Sequence, residues 1–419
     1  MKILWFTNSP CSAVEKLGMN LYSGGWLRTL EEELNKEVDI DLAVCFYSYQ
    51  HIEQFKYNGT QFYPVLKQGK RTKFSRYLKR FFFFRENENN EIKKLLRVIE
   101  IFEPNLIHIH GTEDNFGMIH YSTNIPIVIS IQGVLNSIVE KYFSGIPFSY
   151  ASCHESKLYK LTAAGIRNNF RLFKKYADRE RRILINAKFV IGRTDFDRRI
   201  ACVLAPKSSY FVGNEILRSS FYLNTWNKNK FGDIIQIVSI SGGTLYKGFE
   251  TIANAAQILK SNSDLKFVWK VIGLKGDSNI VNIVKKWKKL NFATLNIQLL
   301  GYQNEKEIIG TLLRSDIYCQ TSHIENSPNS LCEAMILGMP IISTFSGGTS
   351  SLLKDNKEGI LVQDGDPYSL SGAILELANN FLKANEYGKA ARIKALQRHN
   401  TKTIKEEYLN IYRTITEAF

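Results

Sequence analysis

Residues 316–362, DIYCQTSHIENSPNSLCEAMILGMPIISTFSGGTSSLLKDNKEGILV, restrict the fold more than any other stretch of the chain. A short apolar run at 317–319 is too brief for a helix and is bounded by polar residues, the mark of a buried strand. A polar loop containing Glu325 follows. Ser327 ahead of Pro328 reads as an N-cap with proline at the first helical position. Leu331, Ala334, Met335 and Leu337 then fall near helical spacing until Gly338 and Pro340 stop the helix. A second strand is expected at 340–343, with a turn at Gly347-Gly348. Strand, loop, helix and strand in this order make the repeat of an α/β sheet.

The start of that helix has a chemistry of its own. The backbone N–H groups of Asn329 and Ser330 sit where dipole and unpaired donors favour an anion such as a diphosphate. Glu325 in the loop and Glu333 inside the helix, seven residues intervening, flank it. Carboxylates are poor ligands for an anion but good acceptors for sugar hydroxyls, so each could hold one end of a nucleotide sugar. Acids are also common near helix starts for electrostatic reasons alone, and for an isolated Glu-x7-Glu that plainer reading prevails.

Here the pair has company. The stretch resembles the donor site of the retaining glycosyltransferases of family 4, with Glu325, Glu333, Ala334, Gly338, Pro340, Gly347-Gly348 and Gly359-Ile360-Leu361-Val362 in the family's order. It departs after the first acid, where the family carries Gly-Phe-Gly and this chain has Asn326-Ser327-Pro328. The resemblance implies an α/β chain of the GT-B kind, two Rossmann-like domains facing across a cleft. It implies that Glu325 holds the transferred sugar and Glu333 the ribose.

A second β/α unit starts at 234–240, with Ser241-Gly242-Gly243, then Lys247-Gly248 and a helix to about 259. A cation at a helix start opposes the dipole, which suggests that an anion is supplied from outside. The resemblance places Lys247 on the donor diphosphate and Gly301-Tyr302 at the nucleotide base. Relatives carry an Arg five residues before the lysine, where this chain has Gly242. In the first half, a strand at 1–7 leads through a polar loop to Gly24-Gly25 and a helix. By resemblance this glycine pair faces the cleft, although by itself it reads as a plain turn. Strand alternation puts His108 and His110 on one face. The resemblance places His110 on the acceptor side, together with Gln132, which can donate to a sugar hydroxyl but cannot titrate.

At 419 residues the chain exceeds what one core serves. The expected domains are 1–213 on the acceptor side, 214–398 for the nucleotide sugar, and a terminal helix at 399–419 returning to the first. The six cysteines are scattered without a CxxC pair, which argues for reduced thiols rather than disulfides or zinc. Asp39-Ile40-Asp41 spells a DxD motif but begins a strand, so no metal and no cofactor is expected. No Walker A or GxGxxG pattern occurs, which removes the main support for ATPase and nicotinamide readings. No apolar run approaches the length needed to span a bilayer, and no signal peptide is read.

The net charge of +15 is concentrated. Residues 67–85 hold eight basic residues and no acid, and 167–182 hold seven against two acids, so these segments carry thirteen of the fifteen charges. With the four phenylalanines at 81–84, the first segment suits an anionic membrane surface as well as it suits a solvated loop. Nucleic acid is not expected, because no recognised binding module accompanies the charge. With the family resemblance, the expectation is a cytoplasmic hexosyltransferase, peripheral on the inner face of the membrane, using a nucleoside-diphosphate sugar and a glycan or lipid-linked saccharide acceptor for bacterial polysaccharide. A nucleotide-sugar epimerase on the same scaffold and a non-enzymatic basic surface-binding protein stand as rivals.

Overall fold

The computed structural model describes residues 1–18, 25–67, 88–160 and 165–419, which leaves Gly24 and nearly all of the basic 67–85 segment outside the described residues. The chain divides into two compact units: Met1–Asn136, Arg171–Arg218 and His399–Phe419 form one, Ser137–Phe170 and Ser219–Arg398 the other.

The first unit is built on eight strands: β1 (Lys2–Thr7), β2 (Asp41–Ser48), β3 (Phe55–Tyr57), β4 (Thr60–Leu66), β5 (Leu106–His110), β6 (Ile127–Ser130), β7 (Phe189–Gly192) and β8 (Ser209–Val212). Their order is β3-β4-β2-β1-β5-β6-β7-β8, parallel throughout except for β3 against β4. A parallel sheet is covered on both faces, and β1 shows why its apolar run is continuous. Leu4 and Phe6 enter one core cluster, Ile3 and Trp5 the other, as a period of two requires. The helix Thr401–Glu417 closes the second cluster with Ile404, Tyr408, Tyr412 and Ile415. Its start is capped by Asn400, whose side chain accepts from the Thr403 N–H at 3.0 Å.

The second unit holds six parallel strands: β9 (Ile235–Ile240), β10 (Phe267–Ile272), β11 (Ile297–Gly301), β12 (Ile317–Gln320), β13 (Ile341–Thr344) and β14 (Ile360–Val362), in the order β11-β10-β9-β12-β13-β14. In each sheet the chain first runs outward one way and then returns to run outward the other. The reversal falls between β1 and β5 in the first unit and between β9 and β12 in the second. The carboxyl ends of strands at such a reversal form a crevice, the place where open α/β sheets take ligands.

Residues 137–170, expected within the domain 1–213, cluster with the second unit. They contribute no strand to the first sheet, and their anchors are on the second unit. Lys141 pairs with Asp364 at 3.5 Å, and Glu155 accepts from the Asn279 side chain at 3.2 Å. Among the described residues no helix is long and apolar enough to cross a membrane.

Candidate functional site

The reversal in the second sheet brings the loops after β9 and β12 together. After β9 the chain passes Gly242 and makes a single 3-10 turn at Leu245–Lys247. It then enters the helix Phe249–Asn262 through Gly248, at φ 71°. Only glycine fits there, because a Cβ would collide with the Thr321 carbonyl in the loop after β12. This close approach delivers Lys247 to Glu325: Nζ and Oε1 stand 2.5 Å apart, and the same carboxylate oxygen accepts from Gln320 Nε2 at 3.2 Å. Burial works against the Lys247 ammonium, but the Glu325 carboxylate outweighs it and holds the lysine above its ordinary value.

Glu325 is also gripped from behind. Its carbonyl accepts from the Gly348 N–H at 2.9 Å, and Gly347, at φ 55°, packs so tightly on that carbonyl that a Cβ has no room. The glycine pair read as a turn is thus the floor under the first acid. The helix itself spans Asn329–Leu337 with Pro328 at the N-cap, one residue later than expected, and no side chain caps it. Pro328 keeps an extended ψ of 113° and its carbonyl takes the N–H groups of Leu331 and Cys332. The amides of Asn329 and Ser330 have no acceptor among the described residues. Ser330 Oγ points back to Gln320 Oε1 at 3.4 Å, and Glu333 is buried in the first part of the helix. Lys247, Glu325, Asn329 and Ser330 therefore converge on one end of one sheet.

Sequence reasoning passed over His323. Fully buried, it meets Glu250 Oε1 at 2.6 Å through Nε2 and Asp364 Oδ2 at 3.4 Å through Nδ1, and its N–H donates to the Tyr246 carbonyl at 2.8 Å. Burial alone would push this imidazole down, but Asp364 and Glu250 hold it up to about 9, so it is an imidazolium at neutral pH. It ties the Glu325 loop to the residue preceding Lys247. Gly145 lies against the same group, with no space for a Cβ between it and the Glu250 and His323 side chains. The three acids and bases are far apart in sequence, so the only local signal was a histidine in the loop before Glu325.

Other expected residues fare differently. The Gly301 N–H donates to Leu274 at 2.8 Å and its carbonyl accepts from Gly273 at 2.7 Å, so the backbone expected to hold a base is already engaged in the sheet, with Tyr302 exposed beside it. His110 does not face open space. It is fully buried against Trp5 and Trp26, at ring distances of 4.5 and 5.8 Å, and neither ring nitrogen has a partner among the described residues. Burial first, then His108 and Arg193, keep it well below the usual histidine range. His108 bridges Tyr412 Oη and Ser130 Oγ, both at 2.7 Å, and is a core residue pushed down to about 3 by burial. Gln132 follows β6 half-buried, and Gly25 opens the helix Gly25–Leu34.

Residues 224–394, which include all of this site, match the family model described as Glycosyl transferases group 1. Similar curated proteins include the poly(ribitol-phosphate) alpha-N-acetylglucosaminyltransferase of Staphylococcus aureus, 26% identical over 38% of this chain and 31% of that protein. The amylovoran biosynthesis glycosyltransferase AmsK of Erwinia amylovora is 28% identical over 34% of this chain and 36% of its own length. The chain thus matches only about a third of the length of each. Among solved structures, sucrose-phosphate synthase from Thermosynechococcus elongatus superposes over 100% of both chains with a TM-score of 0.74 at 15% identity. The fold is GT-B, and the second unit carries a glycosyl transferases group 1 domain.

Proposed function

We propose that this protein is a retaining glycosyltransferase that moves a hexose from a nucleoside-diphosphate sugar to a hydroxyl of a glycan or lipid-linked saccharide in bacterial polysaccharide synthesis. The observation that carries the reading is the convergence of Lys247 and the two unmatched amides of Asn329 and Ser330 with the Glu325 carboxylate, inside the matched domain. A diphosphate set on those amides meets the helix dipole and the ammonium, a pre-organised positive field that stabilises charge as the leaving group departs. Glu325 then holds the transferred sugar and Glu333 the ribose, while the base rests against the exposed Tyr302 ring, the Gly301 amide and carbonyl being engaged in the sheet. The bond from the anomeric carbon to the phosphate oxygen breaks as the acceptor oxygen bonds on the same face. The acceptor's proton passes to the departing phosphate oxygen. The reading needs no cofactor and no metal, because Lys247 and the helix start supply the positive charge. It includes an anionic membrane surface for the 67–85 segment and a place on the inner face of the cytoplasmic membrane.

Names of similar proteins support the class. One of them acts in amylovoran biosynthesis, and another is an N-acetylglucosaminyltransferase acting on poly(ribitol-phosphate). The test is a thermal-shift screen of UDP-, GDP- and ADP-sugars against the intact chain, since only a bound donor raises the midpoint. A donor that raises it and is turned over only with a saccharide acceptor supports the proposal. No shift with any nucleotide sugar overturns it.

A further inference from the structure

The first unit has a reversal of its own, between β1 and β5, and a carboxyl group stands in it. Glu113 follows β5 in the loop after Gly111, while Asn8 follows β1 directly. The Asn8 Nδ2 lies 3.3 Å from Glu113 Oε2, spanning the two strand ends, and the Gly133 N–H, from the loop after β6, donates to Glu113 Oε1 at 3.1 Å. Two strand ends thus aim neutral donors at the half-buried carboxyl that follows a third, in the crevice where open α/β sheets bind ligands.

The neighbouring acid shows what a structural carboxylate looks like here. Glu180, fully buried, accepts from Thr112 Oγ1 at 2.6 Å, from the Leu135 and Asn136 N–H groups at 3.2 and 2.9 Å, and from Asn136 Nδ2 at 2.6 Å. Its lone pairs are spent on the start of the helix Leu135–Lys141. Glu113 has capacity left: a carboxylate offers about four acceptor sites, and among the described residues no cation pairs with it. Arg179 donates through Nη2 to the Glu113 backbone carbonyl instead, and its buried Nε has no acceptor among the described residues. An acid with open acceptor sites beside a buried, unpartnered Arg179 Nε calls for a polar ligand.

We propose that the Glu113 carboxylate is the seat for a hydroxyl of the saccharide acceptor, its direction set by Asn8 and Gly133. This deepens the transferase reading and rests on it for the identity of the ligand as acceptor. A hydroxyl donor suits the site better than an anion. The two neutral donors leave the carboxylate's charge in place, and an anion would meet it head-on. The Glu113 carboxyl is also displaced from its ordinary range, which makes the seat open to a pH test. Desolvation, reinforced by Glu180 and Asp114 against the donation of its own and the Gly133 N–H, pushes it up to about 7. The charged groups around it are Asp114, held by Lys67 at 2.5 Å, and Glu180 and Arg179 on the helix Ile166–Leu184; the only titrating group on β1 is Lys2, at the end of the strand away from Asn8, and β6 has none.

The experiment titrates p-nitrophenyl hexosides and the matching disaccharides into the full chain by calorimetry at pH 6 and pH 8. A hydroxyl donates to the ionised carboxylate, so affinity rises with pH, by about tenfold across this interval for a group that titrates near 7. Glu113→Gln is expected to lose that pH dependence and at least about tenfold in affinity at pH 8, with its thermal midpoint no lower than the parent's and its response to nucleotide sugars retained. If Glu113→Gln does not fold, Asn8→Ala serves: binding weakened about threefold supports the seat, and unchanged binding overturns it. Absence of glycoside binding by the parent chain, or parent-like binding by Glu113→Gln, overturns the proposal. Glu113-dependent glycoside binding without any response to nucleotide sugars supports the seat and overturns only the transferase reading.

Discussion

Lys247 and Glu325, 78 residues apart in sequence, form a 2.5 Å ion pair at the reversal of the second sheet. The cation assigned to the diphosphate and the acid assigned to the sugar thus neutralise each other when no donor lies between them. On the proposed reading, a donor diphosphate draws the ammonium away from Glu325 and frees that carboxylate for the sugar hydroxyls, so donor binding and the arming of the acid are one event. Lys247→Ala and Glu325→Ala are each expected to lower turnover at saturating donor by at least about a hundredfold, the scale for losing one pre-organised electrostatic contact. Circular dichroism should show both variants folded, and full activity in either rejects the site.

Gly242 is where a second cation could be restored. A Cβ there has nothing closer than Lys247 Cγ at 4.0 Å, and its backbone needs no left-handed conformation. Gly242→Arg is expected to tighten UDP or GDP binding by about tenfold, as one added charge-assisted hydrogen bond does. Calorimetry with the free nucleoside diphosphate reads this directly. Unchanged or weaker binding would mean that the diphosphate lies elsewhere.

The floor beneath Glu325 can be tested through Gly347. At φ 55° and in contact with the Glu325 carbonyl, it admits no side chain without moving that loop. Gly347→Ala should cost about 1–2 kcal/mol for the left-handed backbone alone. Denaturant unfolding measures that loss. Donor affinity should fall as well, while Gly232→Ala, in open space, should change neither.

His323 gives the second unit a pH signature. Its folded value, about 9, lies above the ordinary histidine value of 6.5, so its contribution to stability is fully present below 6.5 and is lost as pH rises through 9. The thermal midpoint of the parent should fall over that window, and His323→Phe should start lower and fall less. Equal slopes for the two would show that the imidazolium is not held between Glu250 and Asp364.

In the first unit, Tyr412 joins the terminal helix to the sheet, accepting from Trp5 Nε1 at 3.2 Å and meeting His108 Nδ1 at 2.7 Å. Tyr412→Phe leaves two buried ring N–H or N groups short of a partner and should cost about 1–3 kcal/mol. A loss below about half a kcal/mol in urea unfolding would place the hydroxyl outside this network.

The parts legible in the sequence were those set by neighbours along the chain. The run Ile3–Phe6, the helix from Asn329 and the turn at Gly347 follow from period, capping and φ, properties of a few consecutive residues. Even there the helix start slipped by one residue, because Pro328 itself stands at the boundary. His110 shows the limit: alternation correctly put it on the face of His108, but it could not say that Trp5 and Trp26 would bury that face.

Chain order and local geometry settle which residues begin a strand, start a helix or turn at a glycine, since those choices cost or gain free energy within one or two turns. What they leave open is which distant side chains meet. The 2.5 Å pair of Lys247 and Glu325 and the contact of His323 with Glu250 depend on where the second sheet reverses. That reversal is a property of strand order, which no single segment encodes. The burial that moves Glu113 to about 7 likewise exists only once three separate strand ends have come together.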